Sequence, residues 1–263
     1  MSAEGKWALI TGASSGIGRA LAHALAARGY DLLLVARNEL TLRQVASDCG
    51  AKFRVAAEAY PADLSDLRAV DGLINSLPAD RRFEILVNNA GFGVQGEFRN
   101  SPVERELELV NLQLAATLKL TKALLPGMVS RGSGRILNVA SLYSFAPVPF
   151  QSVYAASKAF LLSFSAALAS ELRGTGVTVT ALCPGVTQTD FRARAGIGEK
   201  RRTAGATAAS VAETAVQRAL KGKLLAIPGA FVNPFFVFMA RRLPLVIVLR
   251  LVRLINKTRG VNE

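Results

Sequence analysis

The 263-residue chain is predicted to form an α/β fold, with one doubly wound parallel sheet of about seven strands covered by helices on both faces. Short apolar, β-rich runs alternate with longer segments of helical periodicity, which is typical of strands joined by crossover helices. The runs Leu32–Val35 and Ile85–Val87 are apolar without interruption, as expected of strands buried on both faces. Because no linker or repeat interrupts this alternation, residues 1–228 are interpreted as one domain and residues 229–263 as a C-terminal extension.

The elements follow one another in a regular order along the chain. Strands are predicted at Trp7–Thr11, Asp31–Ala36, Phe53–Ala57, Ile85–Asn88, Arg135–Ala140, Val177–Cys183 and Leu224–Ile227. The helices between them are predicted to begin near Gly16, Glu39, Asp66, Val103, Val153 and Ala208. Since strand–helix–strand crossovers are right-handed, these elements assemble into a doubly wound sheet.

Composition argues against several classes of protein. The two cysteines, Cys49 and Cys183, and the single histidine, His23, lack the spacing of a zinc site or of a disulfide framework, so we expect no metal. The start of the chain has no basic segment followed by a long apolar stretch, and a cytoplasmic location is therefore expected. No recognition motif accompanies the net charge of +13, so we expect no nucleic-acid partner.

The positive charge is concentrated in the C-terminal quarter. Residues 1–191 carry 18 basic and 16 acidic side chains (18 − 16 = +2), whereas residues 192–263 carry 14 and 3 (14 − 3 = +11). The segment Phe231–Ile255 is apolar but broken by arginines, and the longest uncharged run, Ala226–Ala240, is 15 residues, too short to span a bilayer. An interfacial membrane helix, a contact with another subunit of a homo-oligomer (dimer or tetramer) and a cover over a pocket mouth all fit this pattern.

A glycine-rich loop directly follows the first predicted strand. The run Gly12-Ala13-Ser14-Ser15-Gly16-Ile17-Gly18 leads straight into a helix. Glycines at this point let the backbone turn tightly and approach a pyrophosphate, whose charge is stabilised at the helix N-terminus. The loop therefore predicts a dinucleotide site.

The end of the second predicted strand indicates which dinucleotide is bound. A carboxylate there would bind the ribose 2′-hydroxyl and repel a 2′-phosphate, but this chain has Ala36-Arg37 instead. The guanidinium of Arg37 is suited to a phosphate, and Ser14 and Ser15 offer hydroxyl donors. NADP(H) is therefore favoured over NAD(H).

A phenol and an ammonium lie one helical turn apart in Tyr154-Ala155-Ala156-Ser157-Lys158. Residues i and i+4 share one face of a helix, so the two groups can share one site. A nearby cation favours the phenolate and lowers the pKa of a tyrosine towards the range of an acid–base catalyst. We therefore expect Tyr154 to transfer a proton, with Lys158 lowering its pKa.

The motifs together resemble the short-chain dehydrogenase/reductase family over roughly residues 5 to 228. In order along the chain these motifs are Thr11–Gly18, Asp63-Leu64, Asn88–Gly91, Asn111, Ser141, Tyr154 with Lys158, and Pro184-Gly185. The stretches Ser141–Lys158 and Gly176–Asp190 are most similar to a bacterial branch of broadly defined NAD(P)-dependent oxidoreductases. This resemblance implies a Rossmann-type fold and hydride transfer between a nicotinamide and a carbonyl/alcohol substrate.

The resemblance also implies roles for individual residues. Tyr154 would be the general acid/base, Ser141 would hydrogen-bond the substrate oxygen, and Lys158 would hold the nicotinamide ribose. Asn111 would bend its helix and carry a water that links Lys158 to solvent. The implied cofactor-binding residues are Gly12, Ser14, Ser15, Gly16, Ile17, Gly18, Arg37, Asp63, Leu64, Asn88, Ala90, Gly91, Tyr154, Lys158, Pro184, Gly185 and Thr187.

The substrate side is less defined by the sequence. Residues 186–205 form a glycine- and arginine-rich stretch after the sixth predicted strand, where a lid is expected. The candidate pocket walls are Phe92, Val94, Leu142, Tyr143, Phe145, Phe150 and Phe191. These side chains suit a hydrophobic substrate, or equally a packed core. The basic residues Arg192, Arg194, Lys200, Arg201 and Arg202 suit either an anionic substrate or a solvated loop.

Overall fold

The computed structural model of the chain describes residues 5–189, 191, 205–229 and 232–258. The main strands are β1 Trp7–Thr11, β2 Asp31–Ala36, β3 Ala57–Pro61, β4 Phe83–Asn88, β5 Gly134–Val139 and β6 Val177–Leu182, followed by the short strands β7 Thr187–Gln188, β8 Ala206–Thr207 and β9 Leu225–Ala226. Within the described residues, a seven-stranded sheet has the order β3-β2-β1-β4-β5-β6-β9, and every neighbouring pair is parallel. The predicted doubly wound sheet is confirmed.

Helices connect the strands and cover the sheet. The α-helices are α1 Gly16–Ala26, α2 Glu39–Phe53, α3 Leu67–Ser76, α4 Val103–Val110, α5 Ala116–Ser130, α6 Ser152–Glu171, α7 Ala208–Leu220, α8 Val232–Arg242 and α9 Leu245–Thr258. A π-helical segment, Asn111–Ala115, joins α4 to α5, and 3₁₀ turns occupy Phe98–Asn100 and Leu142–Phe145. The chain reverses its direction of winding between β1 and β4, and this switch point is where open α/β sheets bind ligands.

The core lies in two layers, one on each face of the sheet. One layer packs α1, α2 and α7 against the sheet, with Leu21, Leu42 and Val216 fully buried or nearly so. The other packs α3, α5 and α6 against the opposite face, through residues such as Leu120 and Leu168. Because alternate residues of a strand point to opposite faces, the apolar runs in β2 and β4 supply both layers.

The position of the third strand corrects a prediction from the sequence. The strand was expected at Phe53–Ala57, but α2 continues through Phe53 and the strand is Ala57–Pro61. Arg54 ends the helix in the left-handed conformation (φ 58°), and its N–H donates to the Gly50 carbonyl oxygen. The strand lies at the edge of the sheet and is partly exposed, so it lacks the continuous apolar run of the central strands.

Among the described residues, one helix is long and apolar enough to cross a membrane by length and composition alone. This helix is α6, Ser152–Glu171. It packs on the sheet through Leu161, Leu168 and other buried side chains, and core helices of this kind pass the same test. Its hydropathy is explained by its place in the core.

Candidate active site

The loops after β1 and β4 are tied together at the switch point. The backbone N–H groups of Asn89 and Ala90 both donate to the Thr11 hydroxyl, at 2.9 and 3.0 Å. The Asn89 side-chain amide donates to the carbonyl oxygens of Thr11 at 2.8 Å and of Gly12 at 3.2 Å. Two of the predicted cofactor segments are therefore held against each other at the carboxyl edge of the sheet.

The glycine-rich loop has no room for side chains at two positions. Gly12 has a φ of +66°, and a Cβ there would lie 2.7 Å from the Asn89 amide nitrogen. A Cβ on Gly18, in the first turn of α1, would overlap the carbonyl oxygen of Gly12. The first turn of α1 carries no acidic residue, so the positive end of this helix is open to an anion. The loop therefore fits the pyrophosphate of a dinucleotide.

Arg37 and Asp63 lie beside each other at the ends of β2 and β3. Their nearest charged atoms, Arg37 Nη1 and Asp63 Oδ2, are 3.6 Å apart, and both side chains are about half exposed. Although partial burial raises it, the pKa of Asp63 is lowered on balance by hydrogen bonds from Ser65 and by the Arg37 guanidinium. Leu64, which follows Asp63 in the chain, is buried in the core. The sequence did not anticipate this ion pair, because it joins two strands that are adjacent only in the sheet.

Asn88 has its side chain turned into the protein interior. Its amide donates to the Asn138 carbonyl oxygen at 2.8 Å across the β4–β5 pair, and the Asn138 amide donates to Ser165 on α6 at 2.9 Å. This buried chain of hydrogen bonds links the two central strands to α6. Because the side chain of Asn88 is bonded in the interior, its backbone is the part that remains for a cofactor contact. That contact stays a prediction.

Ser141, Tyr154 and Lys158 converge where β5 ends. Ser141 follows β5, caps the next 3₁₀ turn by accepting from the Tyr143 N–H at 3.1 Å, and is hydrogen-bonded to the Tyr154 side chain. The Lys158 ammonium donates to the carbonyl oxygen of Val139, at 2.8 Å, and lies 5.6 Å from the centre of the Tyr154 ring. All three side chains are buried. The structure thus brings together three of the four residues predicted to be catalytic.

Burial dominates the protonation behaviour of this cluster. Loss of hydration raises the pKa of the Tyr154 phenol, and the hydrogen bond with Ser141 only partly opposes this effect. Burial lowers the pKa of Lys158 to about 7. The expectation that Lys158 lowers the pKa of Tyr154 is not met, because desolvation of the buried phenol is the dominant effect and raises its pKa.

Asn111, the fourth predicted residue, begins the π-helical segment. The N–H of Ala116 donates to the Asn111 carbonyl oxygen, five residues back, so the α-helical ladder is broken at this point. The predicted bend at Asn111 therefore coincides with an irregular turn. The proposed water relay from Asn111 stays a prediction.

Gln113, inside the same segment, was missed by the sequence analysis. It is buried, its amide donates to the Phe92 carbonyl oxygen at 2.7 Å, and its own carbonyl oxygen accepts from the Ser157 hydroxyl at 3.2 Å. Gln113 thus connects the loop after β4 to the helical turn between Tyr154 and Lys158. The sequence offered one signal, a glutamine two residues after Asn111. Regular helical periodicity does not predict that this glutamine points inward, because its direction depends on the π-helical turn.

The segment after β6 closes the site from another side. Pro184 accepts a hydrogen bond from the Leu142 N–H at 3.0 Å, and the Thr187 hydroxyl donates to the Gly185 carbonyl oxygen at 3.1 Å. Thr187 and Gln188 then pair with β8. The five basic residues predicted between Arg192 and Arg202, and most of the expected lid, lie outside the described residues.

An apolar wall surrounds Tyr154. Four of the predicted pocket residues, Phe92, Val94, Tyr143 and Phe191, pack in one cluster with it. The rings of Tyr143 and Phe191 lie 6.4 and 5.7 Å from the Tyr154 ring, centre to centre. Phe145, by contrast, packs in the core beside Leu161 and Cys183. The reacting end of a substrate at Tyr154 would therefore lie against apolar side chains.

The sheet order, the glycine loop and the buried cluster define a dinucleotide-binding α/β protein with a site suited to proton transfer. The family model for short chain dehydrogenases matches residues 6–200. The chain belongs to the short-chain dehydrogenase/reductase family.

Individual relatives share the fold and part of the sequence. The chain is 39% identical over 185 residues to a very-long-chain 3-oxoacyl-CoA reductase of Phaeosphaeria nodorum, covering 67% of this chain and 53% of that protein. It thus spans about half the length of that relative. It is 37% identical over 225 residues to the ketoacyl reductase HetN of a Nostoc species, covering 83% of this chain and 76% of that protein.

A solved structure of a short-chain dehydrogenase from Sphingobium yanoikuyae in complex with NADPH is also similar. It is 33% identical in sequence, with a TM-score of 0.82, and the match covers 97% of this chain and 94% of that one. The likeness extends through the C-terminal region, beyond the residues that the family model matches.

Proposed function

We propose that this protein is an NADP(H)-dependent oxidoreductase that interconverts a hydrophobic carbonyl compound and its alcohol. The observation that carries the proposal is the convergence of Ser141, Tyr154 and Lys158 under an apolar wall, at the same carboxyl edge of the sheet as the glycine loop. The nicotinamide supplies or accepts the hydride at the carbonyl carbon when the cofactor is bound. The protein residues supply or remove the proton at the oxygen.

In the reducing direction, Tyr154 donates its phenolic proton to the substrate oxygen as the carbon receives the hydride. Tyr154 is protonated at neutral pH and so carries the proton to be donated, while the burial that raises its pKa makes it a weaker acid. Ser141, already hydrogen-bonded to this phenol, stabilises the charge that develops on the same oxygen.

Lys158 contributes through its position rather than by direct transfer. With a pKa of about 7, Lys158 is partly protonated at neutral pH, and its ammonium form stabilises the negative charge that forms on the neighbouring phenol. The Val139 carbonyl oxygen holds its ammonium in place. The same ammonium is the group we assign to the nicotinamide ribose.

We infer a preference for NADP(H) from Arg37. Its guanidinium lies at the end of β2, 3.6 Å from the Asp63 carboxylate, and is about half exposed, so it is accessible to a phosphate. In Arg37→Asp, the loss of charge-assisted hydrogen bonds is expected to lower kcat/KM for NADPH by roughly tenfold to a hundredfold relative to NADH. Arg99→Asp, at a highly exposed arginine remote in sequence, is the charge-matched control. An unchanged NADPH-to-NADH ratio would refute the assignment.

The substrate class that we propose is a 3-oxoacyl thioester with a long acyl chain. One relative above is named a very-long-chain 3-oxoacyl-CoA reductase and another a ketoacyl reductase, and the cluster around Tyr154 offers the apolar surface that an acyl chain needs. The test is NADPH oxidation by the purified protein against 3-oxoacyl thioesters of increasing chain length, simple ketones, aldehydes and steroids. Efficiency that rises with acyl length supports the proposal, whereas NADPH binding without turnover on any of them favours a nucleotide-sensing role.

We also propose that the protein is a homo-oligomer that associates through α4 and α5. These helices expose the aliphatic side chains of Val103, Leu107, Leu118 and Val129. Exposed aliphatic side chains on two successive helices are typical of a subunit contact. Light scattering on the purified protein measures the state directly, and a monomer at all concentrations would contradict the proposal.

A further inference from the structure

Helices α8 and α9 expose apolar side chains on a surface that also carries arginines. This surface is defined by Phe238, Arg242, Leu245, Val246, Ile247, Arg250 and Arg253, all of which are exposed. Leu245, Val246 and Ile247 are consecutive and form the first turn of α9, directly after Pro244. We call these residues the α8–α9 surface.

The opposite side of the two helices is firmly packed. Val248 and Val252 are buried against Ala146, Val148 and Ala155, with Phe236 and other side chains of α8 alongside. Ala146 lies in the segment after Ser141, and Ala155 is next to Tyr154. This contact orients the α8–α9 surface outward and connects it to the segments that carry the catalytic cluster.

The charge of this region indicates which kind of partner the α8–α9 surface binds. Between residues 229 and 262 there are six basic residues and no acidic one. In a symmetric contact between two copies, the same patch lies on both subunits, so the arginines of each copy would face a patch of the same sign. An anionic partner, in contrast, is complementary to the arginines and can also cover the aliphatic turn.

We propose that the α8–α9 surface binds the interface of a membrane that contains anionic lipids. Leu245, Val246 and Ile247 would enter the boundary between headgroups and acyl chains, while Arg250 and Arg253 contact the headgroups. The helices have 11 and 14 residues, too few to span a bilayer, so they lie along the surface. The proposal goes beyond the proposed reaction and does not depend on it.

The test is sedimentation of the full-length protein with vesicles of phosphatidylcholine alone or of phosphatidylcholine and phosphatidylglycerol in equal amounts. The wild type is expected to bind only the anionic vesicles. Val246→Asp and the double variant Arg250→Glu/Arg253→Glu are each expected to weaken binding roughly tenfold or more. Leu40→Asp, at an exposed leucine on α2, and Arg68→Glu/Arg99→Glu are the matched controls, and both are expected to bind as the wild type does.

Three results would overturn the proposal. One is the absence of binding to anionic vesicles by the wild type, and another is binding that the α8–α9 variants and the controls reduce equally. The third is a change of oligomeric state in light scattering caused by Val246→Asp, together with vesicle binding by this variant equal to that of the wild type, which would assign the surface to a second copy of the chain. Circular dichroism and thermal unfolding of each variant separate these outcomes from misfolding, and none of the readouts requires turnover.

Discussion

Helix α6 and the pair α8–α9 depart from the usual distribution of side chains in opposite ways. Helix α6 buries polar groups, among them Ser157, Lys158 and Ser165, whereas α8 and α9 expose Phe238, Val246 and other apolar groups. The polar groups of α6 have hydrogen-bond partners within the protein. The exposed apolar groups of α9 are not covered by any described part of the chain. Buried polar groups and exposed apolar patches are each costly in isolation, so both regions indicate function, one internal and one external.

The largest effect is expected from removing one buried hydroxyl of α6. In Tyr154→Phe the proton donor is lost while the ring and its packing remain, and kcat is expected to fall by a factor of about 10² to 10⁴ with NADPH affinity retained. Steady-state kinetics and fluorescence titration of NADPH measure the two quantities. Tyr143→Phe removes a neighbouring hydroxyl from the same apolar wall and is expected to keep most of the activity. Near-normal turnover by Tyr154→Phe would contradict the view that α6 buries its polar groups for catalysis, because the phenol would then not be needed for the reaction.

The hydrogen bonds that support α6 can be tested at Gln113. Gln113→Met keeps the approximate volume but leaves the Phe92 carbonyl and the Ser157 hydroxyl without this partner. The Ser157 hydroxyl still donates to the Tyr154 carbonyl oxygen, so the main loss is at the Phe92 carbonyl oxygen, and the free energy of unfolding is expected to fall by about 1–3 kcal/mol. Urea unfolding measures the loss, and Gln44→Met, which removes an exposed hydrogen bond to Asp48, is the control. Equal losses in the two variants would show that burial adds nothing to the importance of Gln113.

The buried ammonium of Lys158 predicts a dependence of stability on pH. Its folded pKa of about 7 lies below the ordinary value of 10.5, so between these values the unfolded chain binds a proton that the folded chain does not. The free energy of unfolding therefore falls as the pH falls towards 7, and it rises as the pH rises above 7. Between about pH 7 and pH 9 the wild type is expected to gain about 2 kcal/mol relative to Lys158→Met. Urea unfolding of both proteins across this range measures the difference, and parallel curves would contradict the assignment.

The smallest effect is expected on the exposed side of α9. Val246 is 60% exposed and Val248 is 5% exposed, although only Ile247 separates them in the chain. Val246→Asp is expected to change the free energy of unfolding by no more than about 0.5 kcal/mol, because the side chain stays in water. Val248→Asp places a carboxylate against Ala146 and Val148 and is expected to cost several times more. Thermal unfolding compares them, and similar losses would mean that the α8–α9 surface is not exposed in solution.

The fold was largely predictable because its signals are local. Six of the seven predicted strands overlap the strands of the sheet at nearly the same residues, and the glycine loop precedes α1 as expected. The third strand was misplaced because an edge strand alternates in burial and resembles the end of the preceding helix. The inward position of Gln113 and the side-chain pairing of Asn88 with Asn138 could not be predicted in the same way. The first depends on a π-helical turn and the second on strand register, and neither can be recognised in the sequence alone.

The sequence by itself determined the alternation of strands and helices, the dinucleotide loop and the identity of the Ser141, Tyr154 and Lys158 side chains. These features depend on backbone propensity, on short spacings and on residue chemistry. Only the tertiary structure decided the burial that raises the pKa of Tyr154 and lowers that of Lys158, because desolvation is set by side chains distant in the chain. It also decided which side of α9 is packed and which is exposed. An amphipathic sequence shows that a helix has two faces, but only its neighbours determine which face remains open to a partner.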